Sequence, residues 1–111
     1  MARINFVELP VADTVAAKGF YQSAFGWALT DFGPSYACTL TGDVDLGLQG
    51  DADEASRTPL PVIDVIGLDD WPARVEAAGG TVVRPIFVFP GGRRFHFTDP
   101  SGNELAVMEA G

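Results

Sequence analysis

Residues 97–108 read FTDPSGNELAVM, and what this stretch becomes decides the fold. Asp99 to Asn103 concentrates turn-forming chemistry. Pro presets φ, Gly tolerates φ > 0, and Asp and Asn hydrogen-bond their own backbone. The left flank, RRFHF, alternates apolar and polar residues, and the right flank, NELAVM, is also strand-like. The stretch therefore predicts a β-hairpin, with alternate residues of each strand on opposite faces.

Working backward, TVVRPIF predicts a further strand before this hairpin, and Gly79-Gly80 ends a short helix over WPARVEAAG, with Pro72 in its first turn. Asp69 or Asp70 is its candidate cap, and PVIDVIGL is the strand that leads into it. The first half of the chain shows the same order. INFVELPV is a strand, Asp13 an N-cap, and Ala17, Phe20, Tyr21 and Ala24 fall at helical spacing before a stop at Gly26. WALTDF, SYACTL and VDLGLQ are strands separated by Gly33-Pro34 and Thr41-Gly42-Asp43. TGDVDLGL matches SGNELAVM, so a βαβββ unit of about 50 residues repeats. The first module is 1–49, a polar linker covers 50–60, and the second module is 61–111.

The chain has 111 residues, 47% of them hydrophobic and 20% charged, which suits one globular domain. No apolar run is long enough to span a bilayer. No basic, then apolar, leader opens the sequence, and Cys38 is the lone cysteine, so a cytoplasmic address without disulfides is expected. A net charge of −8 argues against nucleic acid as a partner. That charge is uneven. Between Glu76 and Asp99 no acidic residue occurs, while Arg84, Arg93, Arg94 and the single histidine, His96, all fall there. The arginines either pair with surface carboxylates or serve an anionic or polar small molecule.

The stretches ELPVAD, KGFYQSAFGW, RVEAAGGTVV and FTDPSGNELAV together resemble the vicinal oxygen chelate superfamily. That superfamily includes glyoxalase I, extradiol dioxygenases, fosfomycin-resistance enzymes and bleomycin-binding proteins. The resemblance covers essentially the whole chain and is greatest to small glyoxalase-related or bleomycin-resistance-like proteins. It implies an α+β fold: two βαβββ modules forming an open, cleft-containing mixed-sheet barrel with helices on the outer faces. In metal-dependent members the cleft holds a divalent ion on His, Glu or Gln. Counted along the family's motif, the ligand positions fall here at Phe6, Leu46, Val62 or Ile63, and Ala106. None offers a lone pair, so the resemblance implies no metal and no other cofactor. An improvised metal site from Glu8, Glu104 and His96, with Asp64 nearby, is the competing expectation.

Strand parity places Glu104 with Ala106, and Arg94, His96 and Thr98 opposite the Phe95/Phe97 core face. The relatives' pocket positions also fall at Arg94 and His96. The expected ligand-binding residues are Phe6, Glu8, Tyr36, Leu46, Ile63, Phe89, Arg94, His96, Glu104 and Ala106, with Trp27 and Phe87 adding aromatic area. His96 and Glu8 are the candidate acid–base groups. Each has a plain alternative: a histidine packed between aromatics, a paired carboxylate, a solvated arginine, and a core tryptophan at Trp27. The FPGGRR stretch reads as a flexible flap or an ordinary loop. Cys38 reads as a small buried hydrophobe. The expected function is a metal-free module binding a small organic ligand, acting as a homodimer. The alternatives are a lyase, isomerase or dioxygenase related to glyoxalase I, or an assembly or regulatory module.

Overall fold

A computed structural model describes all residues, 1–111. The chain is α+β and carries the repeated order read from the sequence. The first module runs β1 (Arg3–Pro10), α1 (Thr14–Phe25), β2 (Thr30–Asp31), β3 (Tyr36–Cys38) and β4 (Asp45–Gln49). The second runs β5 (Leu60–Asp64), a 3-10 turn (Leu68–Asp70), α2 (Trp71–Ala77), β6 (Thr81–Phe89), β7 (Gly92–Thr98) and β8 (Glu104–Ala110). By contacts the chain forms two compact units, 6–60 and 61–111 with residues 1–5. The linker 50–60 thus belongs with the first unit, and the first five residues with the second.

In the first unit the strands follow the order β2-β3-β4-β1, with β1 parallel to β4 and the others antiparallel. A parallel pair requires a crossover, which α1 supplies. Asp13 is extended (φ −145°), and its carboxylate accepts from Ala16 N at 3.1 Å. Gly26 closes the helix at φ 71°, its N–H donating to Gln22 O. Ala17 and Tyr21 pack on Leu9, Leu29, Ala37, Leu46 and Leu48, the core of this unit. Phe20 and Ala24, expected on that apolar face, are exposed. WALTDF is strand only at Thr30–Asp31.

In the second unit β5-β8-β7-β6 repeats the pattern, with β5 parallel to β8. Phe95, Val107, Val65 and Leu68 are its buried core, and Trp71, Val75, Ile63 and Phe97 pack against them. Asp99 organises the turn of the opening stretch. Its carboxylate accepts from Ser101 N and Asn103 N at 2.9 Å each and from Asn103 Nδ2 at 3.0 Å. Asp70 makes no side-chain cap for α2, and Asp69 pairs with Arg93 instead. Glu109 of β8 takes over that end, accepting from Gly67 N at 3.0 Å and Leu68 N at 3.2 Å. The FPGGRR stretch is a tight hairpin turn, since Phe89 pairs directly with Gly92, so it is no flap.

Candidate functional site

Neighbours on adjacent strands share a face, so the strand registers sort the side chains. In the first unit Phe6 pairs with Asp45, Glu8 with Gly47, Tyr36 with Gln49 and Cys38 with Gly47. These residues lie on the face turned away from α1. Glu8 is 3% exposed and accepts from the Tyr36 hydroxyl at 2.9 Å. Phe6 and Tyr36 close over Gly47, where a Cβ would meet the Tyr36 hydroxyl and the Phe6 ring. The Cys38 thiol is pushed up by burial and then by the Asp45 charge, which leaves it a poor nucleophile.

Leu46 does not join them. It pairs with Val7 and packs under α1 with Leu48 and Ala37. The reason is turn length. The Cys38↔Gly47 pair encloses residues 39–46, an even number, whereas Thr98↔Glu104 encloses 99–103, an odd number. Aligning the two hairpins residue for residue therefore slips the register by one and sends Leu46 to the other face. Asp45 closes the first turn from its far end, accepting from Thr41 N at 2.7 Å and Gly42 N at 3.1 Å. Asp99 closes the second from its near end.

In the second unit Val62, Ala106 and His96 form one cross-strand row, and Asp64, Met108 and Arg94 the next. Arg84 continues the first row and Phe87 the second. Phe89 pairs with Gly92 and Glu104 with Thr98, on the same face. Of the two alternatives at the family's third ligand position, Val62 takes this face. Ile63 is turned to the α2 side with Phe95 and Val107, which corrects its placement among the ligand-binding residues. Phe95 and Phe97 sit in the α2-side core.

His96 is 2% exposed and Arg94 6%. The His96 Nδ1 lies 2.7 Å from Glu104 Oε2, while its Nε2 is buried with no hydrogen-bond partner. Burial lowers the His96 pKa. Glu104 opposes that shift by its hydrogen bond and charge, and Arg94 and Arg84 add to it. The Arg94 guanidinium lies 4.9 Å from the Phe89 ring and 5.4 Å from Phe87, and that of Arg84 3.6 Å from Phe87. The result is an imidazole whose charged form burial disfavours, held by the Glu104 carboxylate on one side in an aromatic and arginine-rich surround. Sequence spacing placed His96 and Glu104 near one another. Their pairing across β7 and β8, eight residues apart through the turn, needed the register.

The residues present do not fit the divalent ion that the fold family implies. Phe6, Val62 and Ala106 offer hydrocarbon, Leu46 and Ile63 face their helices, and no three His, Cys, Asp or Glu side chains come together. Trp27, expected near the aromatic site residues, stacks instead on Tyr21 (5.7 Å) and Phe25 (5.0 Å), 42% exposed.

Comparison with known proteins agrees with this architecture. Residues 3–107 match the family described as Glyoxalase/Bleomycin resistance protein/Dioxygenase superfamily. A Mycobacterium tuberculosis protein, CFP32, provisionally named a glyoxylase, is 32% identical over 96% of this chain, which spans 45% of that relative's length. The same holds for CFP32 of Mycobacterium bovis. Among solved structures, methylmalonyl-CoA epimerase from M. tuberculosis superposes with a TM-score of 0.75 at 18% identity, covering 97% of this chain and 87% of that one. A superfamily member from Vibrio splendidus 12B01 gives 0.71 at 20%, covering 98% and 99%. The Mn(II)-bound glyoxalase from Novosphingobium aromaticivorans gives 0.71 at 24%, covering 98% of this chain and 40% of that one. At these identities the structures speak for the fold alone. The chain belongs to the glyoxalase/bleomycin resistance protein/dioxygenase superfamily.

Proposed function

We propose that this protein binds a small organic anion with an aromatic or aliphatic body, without a divalent metal. The observation that carries the reading is the buried Arg94 guanidinium set against Phe87 and Phe89 on the face of β7 turned away from α2. A desolvated cation beside aromatic rings suits a carboxylate or phosphate on an apolar body. The hydrocarbon at Phe6, Val62 and Ala106 supports the metal-free part. A thermal-shift screen against organic acids tests the whole. Stabilisation by aromatic or aliphatic acids is expected, with Arg94→Ala weakening binding by about 1.5–3 kcal/mol, the range for hydrogen bonds to charged groups. Chelator should leave the melting temperature unchanged. A melting temperature that drops with chelator and recovers with Ni, Zn or Mn would overturn the metal-free reading, because a site-bound ion stabilises the folded state.

The His96–Glu104 pair favours a second reading, a lyase or isomerase using acid–base chemistry. Turnover of methylglyoxal with glutathione by the purified protein would establish it. The exposed aromatic side chains of α1 support a homodimer, and the lone reduced Cys38 supports a cytoplasmic setting. No helix is long and apolar enough to cross a membrane.

A further inference from the structure

We propose that His96 Nε2 accepts a hydrogen bond from an O–H or N–H group of the ligand, and that Glu104 holds the imidazole in the tautomer that makes this possible. The inference rests on the organic-anion reading above and adds to it the ligand's second recognised group, a hydrogen-bond donor. It separates a hydroxylated acid from its deoxygenated counterpart.

The geometry runs from the carboxylate outward. Glu104 Oε2 is 2.7 Å from His96 Nδ1. A carboxylate accepts and does not donate, so the proton sits on Nδ1 and the Nε2 lone pair stays open. That atom is buried without a hydrogen-bond partner. The large majority of buried side-chain polar atoms in folded proteins are hydrogen-bonded, so one left open beside an oriented imidazole points to a donor from outside the chain. The charges around the ring come from all three strands packed there: Glu104 on β8, Arg94 on β7 itself and Arg84 on β6. Burial is what chiefly disfavours a second proton on the ring, and the Arg94 and Arg84 charges act in the same direction against the hydrogen bond and charge of Glu104. Nε2 is thus an acceptor at neutral pH, and it selects a ligand donor and rejects a ligand carbonyl.

Access involves β6. The Phe87 ring centroid is 5.6 Å from that of His96, and Phe87 is half-buried. The β6–β7 ladder shifts register between Val82 and Arg84 and again between Arg84 and Phe87, with Pro85 in between. Such irregular pairing frees a strand segment to re-aim its side chains. Movement of this segment opens the way to Nε2, and the ligand's body then packs against the Phe87 ring.

Two measurements test this. Imidazole 15N spectra of the ligand-free protein at pH 7 should show His96 protonated at Nδ1 and bare at Nε2, and Glu104→Ala should shift it toward the Nε2–H tautomer. An Nε2–H tautomer or an imidazolium in the unaltered protein would overturn the inference. Titration with 4-hydroxybenzoate and with benzoate should then give about tenfold tighter binding of the former, the worth of one net hydrogen bond, with a shifted Nε2 resonance. His96→Ala should erase that difference. Equal affinity for the two acids would sink the donor claim and leave the organic-anion reading standing, whereas binding of neither would count against both. An Nε2 resonance already hydrogen-bonded in the free protein and unmoved by either acid would mean that a buried water holds the position, again overturning the inference.

Discussion

At the scale of single residues, Gly47 shows how a missing side chain shapes a site. It lies on β4 opposite both Glu8 and Cys38, and the Phe6 ring and Tyr36 hydroxyl occupy the space a Cβ would fill. Tyr36 in turn holds Glu8 at 2.9 Å. Gly47→Ala should therefore force both aromatics aside and destabilise the protein by about 1–3 kcal/mol, the usual cost of overpacking. Urea denaturation measures it, and an unchanged midpoint would mean that Phe6 and Tyr36 do not rest on this backbone. In the second unit, the alternation in RRFHFT made the faces of Arg94, Phe95, His96 and Phe97 legible from sequence. One glance at hydrophobicity separates phenylalanines from charges in a strand of period two. Ile63 escapes that reading because Leu60, Val62, Pro61 and Ile63 make both faces of β5 apolar, whereas Leu46, marked with Leu48 as the apolar side of DLGLQ, is misassigned only by matching two hairpins of different length.

At the scale of elements, the 3-10 turn and α2 lack a cap of their own. Their entry is held by Glu109, which accepts from Gly67 N and Leu68 N across more than forty positions of chain. Chiefly these two backbone donors, and then Arg93, keep the Glu109 carboxyl below its ordinary range against the opposing effects of burial and Asp69. A carboxyl with a depressed folded-state pKa stabilises the protein above its unfolded value of 4.5 and loses that contribution as pH falls through the folded value. Glu109→Ala should lower the melting temperature at pH 7 and narrow its gap to the unaltered protein in acid. A gap that stays constant from pH 7 to pH 3 would show that the carboxylate does not act as the cap.

At the scale of the whole molecule, α1 leaves a large apolar surface in water. Phe20 and Phe25 are each 59% exposed, and Phe25 stacks with Trp27 at 5.0 Å. Contiguous exposed aromatics mark contact surfaces. The strands β2 and β6 each have one hydrogen-bonded neighbour and so an open edge, a second route to pairing with another chain. Light scattering should therefore give twice the chain mass of 11.8 kDa at micromolar concentration. A mass equal to one chain would count directly against the dimer, and Phe25→Ser with Trp27→Ser should reduce a dimer to that value if α1 forms the contact.

The order of elements, the internal repeat, the cap at Asp13, the stop at Gly26 and the Asp99 turn were all determined by the sequence itself. Each depends on residues a few positions apart, and local backbone chemistry acts at that range. What only the tertiary structure decided depends on register between strands distant in the chain. The different lengths of two look-alike hairpins turned Leu46 toward its helix. The choice of Glu109 over Asp70 as a cap and the pairing of Glu104 with His96 arise from positions that only the folded chain brings together.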